Sequence, residues 1–326
     1  MRDNEGRVID YLRISITDRC NLRCIYCMPE EGVKNIGHEK ILSYDEIVRI
    51  CSVLAGHGLK KIKITGGEPL VRKDAIVLIR KLKKVPGITS VTLTTNGVLL
   101  EQYYDELIDA GIDSITVSLD TMKRNVYQQI TRRDELERVL RGIEKAIREN
   151  RVRLKINCVC VAGIDTQNVL ALLNYAQRAD VDIRFIEMMP IGLGRQFSFV
   201  SEAVIRKMIE EKYGRLTPYG KTRGNGPCKY YDVPGFIGKV GFISAVSHKF
   251  CDTCNRVRLT SDGFLKSCLQ YDHGVYLKSL LEQKVSDEIL WETMKTAIKQ
   301  KPKAHHFDEK KIKNEDEIRG MSQIGG

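Results

Sequence analysis

From residue 11 to about residue 189 the chain alternates between two kinds of segment, and that alternation limits its fold more than any other feature. Apolar or β-branched runs occupy residues 11–17, 61–65, 91–95, 114–120, 153–161 and 182–189. Amphipathic stretches with helical periodicity lie between them at 45–55, 74–84, 101–110, 134–149 and 167–179. Ser43 and Glu46 have capping-box spacing at the start of the first helix, and Gly56 and Gly58 stand where it should stop. Pro86-Gly87 and Asn96-Gly97 mark further turns. Repeated strand–helix units with right-handed crossovers give a parallel sheet. The predicted fold class is therefore α/β, an incomplete parallel (β/α)6 TIM-like barrel with its chemistry at the carboxyl ends of the strands.

After about residue 190 the pattern changes. Gly192, Gly194, Gly220, Gly224, Gly226 and Gly235 become frequent. Short strands are expected near 240–245 and 256–260, helices near 275–282 and 287–299, and a mobile Lys-rich stretch at 300–320. The expected division is a barrel core over 1–225 and a smaller α+β C-terminal domain over 226–326 that closes the open side. The start does not resemble a signal peptide, and no apolar run is long enough to span a bilayer, so a soluble cytoplasmic protein is expected. The formal charge of +11 could serve nucleic acid, a membrane surface or a polyphosphate. Runs such as RKLKK (80–84) and RKMIEEK (206–212) fit solvated helix faces, so neither nucleic acid nor membrane is expected as a partner.

Ten cysteines in a reducing compartment argue for metal ligation before disulfides. CNLRCIYC spaces Cys20, Cys24 and Cys27 as Cys-x3-Cys-x2-Cys. Three thiolates can hold three irons of a 4Fe–4S cube and leave the fourth open to a small molecule. A zinc knuckle or a ferredoxin-like set could use the same residues. CDTCNRVRLTSDGFLKSC spaces Cys251, Cys254 and Cys268 as Cys-x2-Cys-x13-Cys, with His248 and His273 nearby, so a Cys3His zinc site competes there. Cys51, Cys158, Cys160 and Cys228 read as core or incidental thiols.

TGGEP (Thr65 to Pro69) follows the strand KIKI. Gly66 and Gly67 permit close backbone approach, and Glu68 could accept from an ammonium group; a tight strand-to-helix turn is the plainer reading. Ser118 and Met189 end two other strands. Cations recur on strands: Arg13, Lys61, Lys63, Lys155, Arg184, Arg256 and Arg258. Lys61 and Lys63 share a face with Thr65, and Arg256 and Arg258 share another. A cation inside a barrel needs a partner. Taken singly each suits a local ion pair; together they suit a triphosphate.

The first cysteine loop, with Tyr26 before its third cysteine, resembles the signature of the radical S-adenosylmethionine (SAM) enzymes. Over nearly the whole chain, DYLRISITDRCNLRCIYCMP, KITGGEPLVR, LTTNG, SLD, RFIEMMPIG, FCDTCNR and the terminal Gly325-Gly326 resemble the GTP 3′,8-cyclases of molybdenum cofactor biosynthesis. That resemblance implies conversion of GTP to (8S)-3′,8-cyclo-7,8-dihydroguanosine 5′-triphosphate by a 5′-deoxyadenosyl radical. It implies SAM and two 4Fe–4S clusters, on Cys20, Cys24 and Cys27 and on Cys251, Cys254 and Cys268. Tyr26, Gly66, Gly67, Glu68, Ser118 and Met189 would meet SAM. Arg13, Lys63, Thr94, Lys155, Arg256, Val257 and Arg258 match GTP-contacting positions, with Arg256 and Arg258 also candidates to stabilise the radical. Relatives often carry arginine where Lys63 stands, so one bidentate contact is weakened here. The paired glycines resemble a tail that threads toward the active site. An external one-electron reductant, a homodimer and transfer of product to cyclic pyranopterin monophosphate synthase are further implications. Two alternatives share parts of the pattern: another radical SAM enzyme with an auxiliary cluster, and a non-catalytic iron–sulfur or zinc sensor that binds nucleic acid.

Overall fold

The computed structural model describes residues 1–33, 36–163, 169–221, 223–309 and 315–325. Strand β1 (Tyr11–Ser15) is followed by α1 (Tyr44–Gly56), β2 (Lys61–Thr65), α2 (Ala75–Lys83), β3 (Ser90–Thr95), α3 (Leu100–Asp109) and β4 (Ser114–Ser118). Two helices, α4 (Arg124–Thr131) and α5 (Leu136–Glu149), then lead to β5 (Arg153–Cys160), α6 (Val169–Arg178) and β6 (Val181–Glu187). All six expected strands are present within a few residues. Residues 167–168 of the expected fifth helix lie outside the described residues, and α4 was not expected. The capping box forms at α1: the Ser43 hydroxyl accepts from the Glu46 N–H at 3.2 Å, and the Glu46 carboxylate accepts from the Ser43 N–H at 2.6 Å.

The remaining elements are α7 (Glu202–Tyr213), β7 (Thr217–Pro218), β8 (Lys229–Asp232), β9 (Val240–Ile243), β10 (Arg256–Leu259), β11 (Phe264–Lys266), β12 (Gly274–Tyr276), α8 (Lys278–Glu282), α9 (Asp287–Lys299) and α10 (Met321–Ile324). The expected helix at 275–282 is thus shared between the end of β12 and α8. The sheet runs β12-β11-β10-β1-β2-β3-β4-β5-β6-β9-β8-β7. Strands β10, β1 to β6 and β9 are parallel, while β11 with β12 and β8 with β7 make antiparallel margins. The order has two ends, so the sheet curls without closing.

The parallel strands alternate in character. Leu12, Ile14, Ile62, Ile64, Val91 and Leu93 join the apolar core under the helices. Arg13, Lys63, Thr92, Thr94, Lys155 and Arg184 face the other way, onto the concave side. A closed TIM barrel fills that side with branched apolar residues. Here it is polar, so the concave face borders a cavity.

The stretch 300–320 is not the mobile tail that its composition suggested. Lys301, His305, His306, Asp316 and Glu317 are buried, although residues 310–314 lie outside the described part. Glu317, one of the acids that suggested solvation, instead pairs internally with Lys266. Among the described residues no helix is long and apolar enough to cross a membrane.

Candidate active site

A cavity of about 600 Å³ occupies the concave side. Cys24 and Cys27 line it from the loop after β1, and Cys251, Cys254 and Cys268 line it from either side of β10 and β11, so both triplets face one space. Cys20 sits just behind, accepting from the Leu22 N–H at 3.4 Å and from Asn96 Nδ2 at 3.7 Å. The TGGEP turn is the prop for this loop. The Gly67 N–H donates to the Thr17 carbonyl at 2.6 Å, and the Glu68 N–H to the Arg19 carbonyl at 2.8 Å. A Cβ on Gly67 would lie 2.3 Å from the Arg19 oxygen, and one on Gly66 2.7 Å from the Thr17 oxygen. Glu68 is fully buried and accepts from the Leu70 N–H, the Thr95 hydroxyl and the Asn96 N–H at 3.0, 2.8 and 2.6 Å. Gly66, Gly67 and Glu68 therefore support the cysteine loop from behind, whereas Tyr26, Ser118 and Met189 line the cavity itself.

Burial pushes the Cys20 thiol up to about 11 and the Cys27 thiol up to about 12, and raises the Cys24 thiol well above its ordinary value. Such thiols stay protonated until a metal displaces the proton. N–H donors already point at the sulfurs: Leu22 and Asn96 at Cys20, Ser322 at Cys27, and His305 at Cys251 (3.4 Å). In the second triplet burial again favours the neutral thiol, and Cys251 is raised. At Cys254 the nearby Arg256 and Lys301 outweigh burial and hold the thiol down at about 6. Within each triplet the sulfurs perturb one another, yet among the described residues no three His, Cys, Asp or Glu side chains converge on a single ion. Neither histidine of the competing zinc reading is in the cavity wall: His248 Nδ1 meets the Ser247 hydroxyl at 3.0 Å, and His273 stacks on Tyr271.

The cations are gathered by strand register. Arg13 on β1 pairs in register with Arg258 on β10 and Lys63 on β2, placing three charges in one row. Lys155, Arg184 and Arg256 complete the set around the cavity. Burial, then the neighbouring cations, lowers Lys63 and Arg258 well below their ordinary range, and burial brings Arg13 to about 10 and Lys155 to about 8. Hydrogen bonds hold several in place. Arg184 donates to the Thr116 hydroxyl at 3.1 Å, Lys155 to the Arg223 carbonyl at 2.7 Å, and Lys63 to the Thr94 and Thr116 hydroxyls at 3.4 Å. Two expected residues stand apart. Lys61 pairs with Asp10 at 2.9 Å and is absent from the cavity wall, and the Val257 side chain is buried in the core on the opposite face.

The chain end enters the same space. The Gly325 carbonyl accepts from Arg258 Nη1, and a Cβ on Gly325 would lie 2.5 Å from the Thr65 hydroxyl oxygen. Gly325 has φ +77°, a conformation that favours glycine. Gly326 lies outside the described residues.

Several residues escaped the sequence reading. Asn96 joins the Cys20 sulfur to the Asn21 side chain, and Asp120 accepts from the Tyr26 hydroxyl at 2.5 Å. Arg7, Lys301 and His305 surround the second triplet. The LTTNG and SLD motifs already contained Asn96 and Asp120, but nothing in their spacing named a partner. Lys301 lay in a stretch whose composition signalled solvent.

An open parallel sheet curled around a cavity, with a cysteine-bearing loop directly after its first strand, defines a radical SAM protein. The profile of the radical SAM superfamily matches residues 14–176, and that of the Molybdenum Cofactor Synthesis C family matches residues 181–307. Among solved structures, Streptococcus suis SuiB bound to S-adenosylmethionine shares the fold with a TM-score of 0.62 at 13% identity, covering 90% of this chain and 68% of its own. Native anSMEcpe with bound AdoMet does so at 0.56 and 16%, covering 88% of this chain and 84% of its own. The GTP 3′,8-cyclases of Clostridium perfringens (strain SM101 / Type A) and Petrotoga mobilis are each 44% identical over the full length of both chains. That of Listeria monocytogenes serotype 4b is 40% identical over all of this chain and 99% of its own. This chain belongs to the GTP 3′,8-cyclase family. It is a radical SAM enzyme of molybdenum cofactor synthesis, and its cofactors are SAM and two 4Fe–4S clusters.

Proposed function

We propose that the two triplets hold their clusters on opposite sides of one GTP molecule, which the chain converts to (8S)-3′,8-cyclo-7,8-dihydroguanosine 5′-triphosphate. The observation that carries this reading is the shared cavity, walled by cysteines of both sets and by a row of buried cations. Cys20, Cys24 and Cys27 hold the first cluster; Cys251, Cys254 and Cys268 hold the second. Bound together at the first triplet, cluster and SAM supply a 5′-deoxyadenosyl radical. Tyr26, Ser118 and Met189 border SAM, while Gly66, Gly67 and Glu68 fix the loop that presents it. Arg13, Lys63, Lys155, Arg184, Arg256 and Arg258 take the triphosphate, with Thr94 beside Lys63. Fixing the phosphates at one end sets where C3′ and C8 lie between the clusters, which is the positioning that such a reaction needs. Arg256, close to Cys254, would also stabilise the radical intermediate. An external one-electron donor, a homodimeric state, cytoplasmic location and delivery to cyclic pyranopterin monophosphate synthase complete the proposal.

The test is anaerobic reconstitution with iron and sulfide, then incubation with GTP, SAM and dithionite. We expect about eight irons per chain, consumption of GTP, an isomer of GTP separable by chromatography, and one 5′-deoxyadenosine per product. SAM cleavage without loss of GTP would point instead to a different substrate, and zinc in the second triplet would remove the two-cluster reading.

A further inference from the structure

The segment from Lys301 to His305 is a strap across the second cysteine triplet. Arg7 fastens it: its guanidinium donates to the carbonyls of Lys301, Pro302 and Lys303 at 3.1, 2.8 and 3.0 Å, and to the carbonyl of Cys251 at 3.0 Å. At the far end the His305 N–H reaches the Cys251 sulfur at 3.4 Å. Between these points the Lys301 ammonium turns inward. It donates to the Arg256 carbonyl at 2.9 Å, two residues beyond Cys254, and to the Ser267 carbonyl, immediately before Cys268. One side chain thus clips together the segments that carry two of the three cysteines, and its backbone is tied to the third.

Lys301 is 5% exposed and lines the cavity. Among the described residues no carboxylate pairs with it. Two carbonyl dipoles offset only part of the cost of burying an ammonium, so the structure calls for an anion beside it. A three-thiolate cluster is such an anion, and its negative charge grows by one on reduction.

We propose that Lys301 is a positioning residue for the second cluster, setting the spacing of the Cys254 and Cys268 segments and raising the cluster's reduction potential through a fixed positive charge. This rests on the two-cluster reading above, but not on GTP being the substrate. A fixed cation stabilises the more negative, reduced cube more than the oxidised one. Removing the charge therefore favours the oxidised state.

The experiment is a redox titration followed by electron paramagnetic resonance, on full-length protein reconstituted anaerobically without GTP. Wild type, Lys301→Met, Lys301→Gln and Lys301→Arg are compared, with the first-cluster signal as internal reference. For Met and Gln the ratio of reduced to oxidised second cluster at a given potential should fall at least about tenfold, equivalent to a midpoint lower by about 59 mV, while Arg stays near wild type. Loss of the second cluster from both Met and Gln, with retention in Arg, would also support the proposal, because of the three variants Arg alone keeps the positive charge. An unchanged second-cluster midpoint in Met or Gln at full iron content would overturn it. So would loss of the cluster in Arg as well, since packing rather than charge would then be what matters. A protein that never consumes GTP can still be titrated in this way, so failure of the substrate reading leaves a distinct result.

Discussion

A buried cation destabilises a fold unless an anion meets it, and one side of this sheet gathers Arg13, Lys63, Lys155, Arg184, Arg256 and Arg258, with Lys155, Arg184 and Arg258 buried and the others partly so. Two arginine or lysine positions that look alike in sequence therefore have opposite expectations. Arg258 is fully enclosed and shares its row with Arg13 and Lys63, so Arg258→Ala should weaken GTP binding by about 1–3 kcal/mol through loss of a charge-assisted bond. Lys61 is already matched by Asp10 and stands outside the cavity wall, so Lys61→Ala should leave the GTP dissociation constant within about twofold, since a locally paired cation away from the ligand contributes little to its binding. Anaerobic calorimetry on both variants checks the contrast, and equal losses would place Lys61 in the site after all. Glu68 gives a pH effect. Burial raises its carboxyl from the ordinary 4.5 to about 7, even though three donors act in the opposite direction. Between those values the native chain holds a proton that the unfolded chain releases, so stability falls as pH rises through the window, by up to about 3 kcal/mol on this account. Urea denaturation of the metal-free protein at pH 5 and pH 7.5 should show a shallower decline in Glu68→Gln than in wild type; parallel declines would mean that other groups dominate.

At the scale of elements, the six core strands were legible because each repeats polar and apolar residues with period two over five or more positions, as in KIKIT and SITVS. The margins were not. Strands β7, β11 and β12 have two or three residues each, too few to carry a period. Nor could spacing reveal that β10 continues the sheet beside β1: Arg256 and Arg258 looked like contributions from a separate domain, whereas they extend the row begun by Arg13. The cysteine ligands and strand cations were readable because their chemistry is costly to explain otherwise. Asn96, Asp120 and Lys301 were not, because their partners come from segments remote in sequence. The TGGEP turn lies between these cases. Its glycines suited either a ligand's close approach or a tight turn, and in the fold they make room for the backbone of residues 17–19. Gly67→Ala should therefore cost about 2–3 kcal/mol by overpacking and lower the iron bound at the first triplet. Gly220→Ala, where a Cβ would meet nothing within 4 Å, should change neither by a measurable amount. Iron assay and thermal unfolding of the two variants decide whether the turn is a scaffold; normal iron loading in Gly67→Ala would refute it.

For the whole molecule the formal charge of +11 is unevenly matched. On the helices, cations pair with nearby acids, as Lys145 does with Asp105 and Arg178 with Glu144, whereas inside the sheet Arg13, Lys63 and Arg258 stand side by side in one row. Residues 317–325 pack beside that interior, Met321 in its wall and Gly325 against Arg258, and Glu317 is their anchor. Its fully buried carboxylate meets Lys266 on β11 and Arg319, and its carbonyl accepts from Arg195, in the turn after β6, at 3.0 Å. One residue thereby joins the tail to both flanks of the open sheet, four residues before α10 brings the Ser322 N–H to Cys27 and Gly325 to Arg258. Glu317→Ala should cost about 3–5 kcal/mol, because Lys266 would be left buried alone. It should also expose the last residues to carboxypeptidase. The double variant Lys266→Met/Glu317→Leu removes both charges and should recover most of that stability, since apolar replacements of buried pairs are often neutral. Denaturation midpoints would then separate charge from packing, while carboxypeptidase sensitivity reports on the tail alone. If the double variant is stable yet its tail is digested, the ion pair holds the chain end in place more than it holds the fold together. If both readouts recover, packing suffices to close the site, and the charges are dispensable for it.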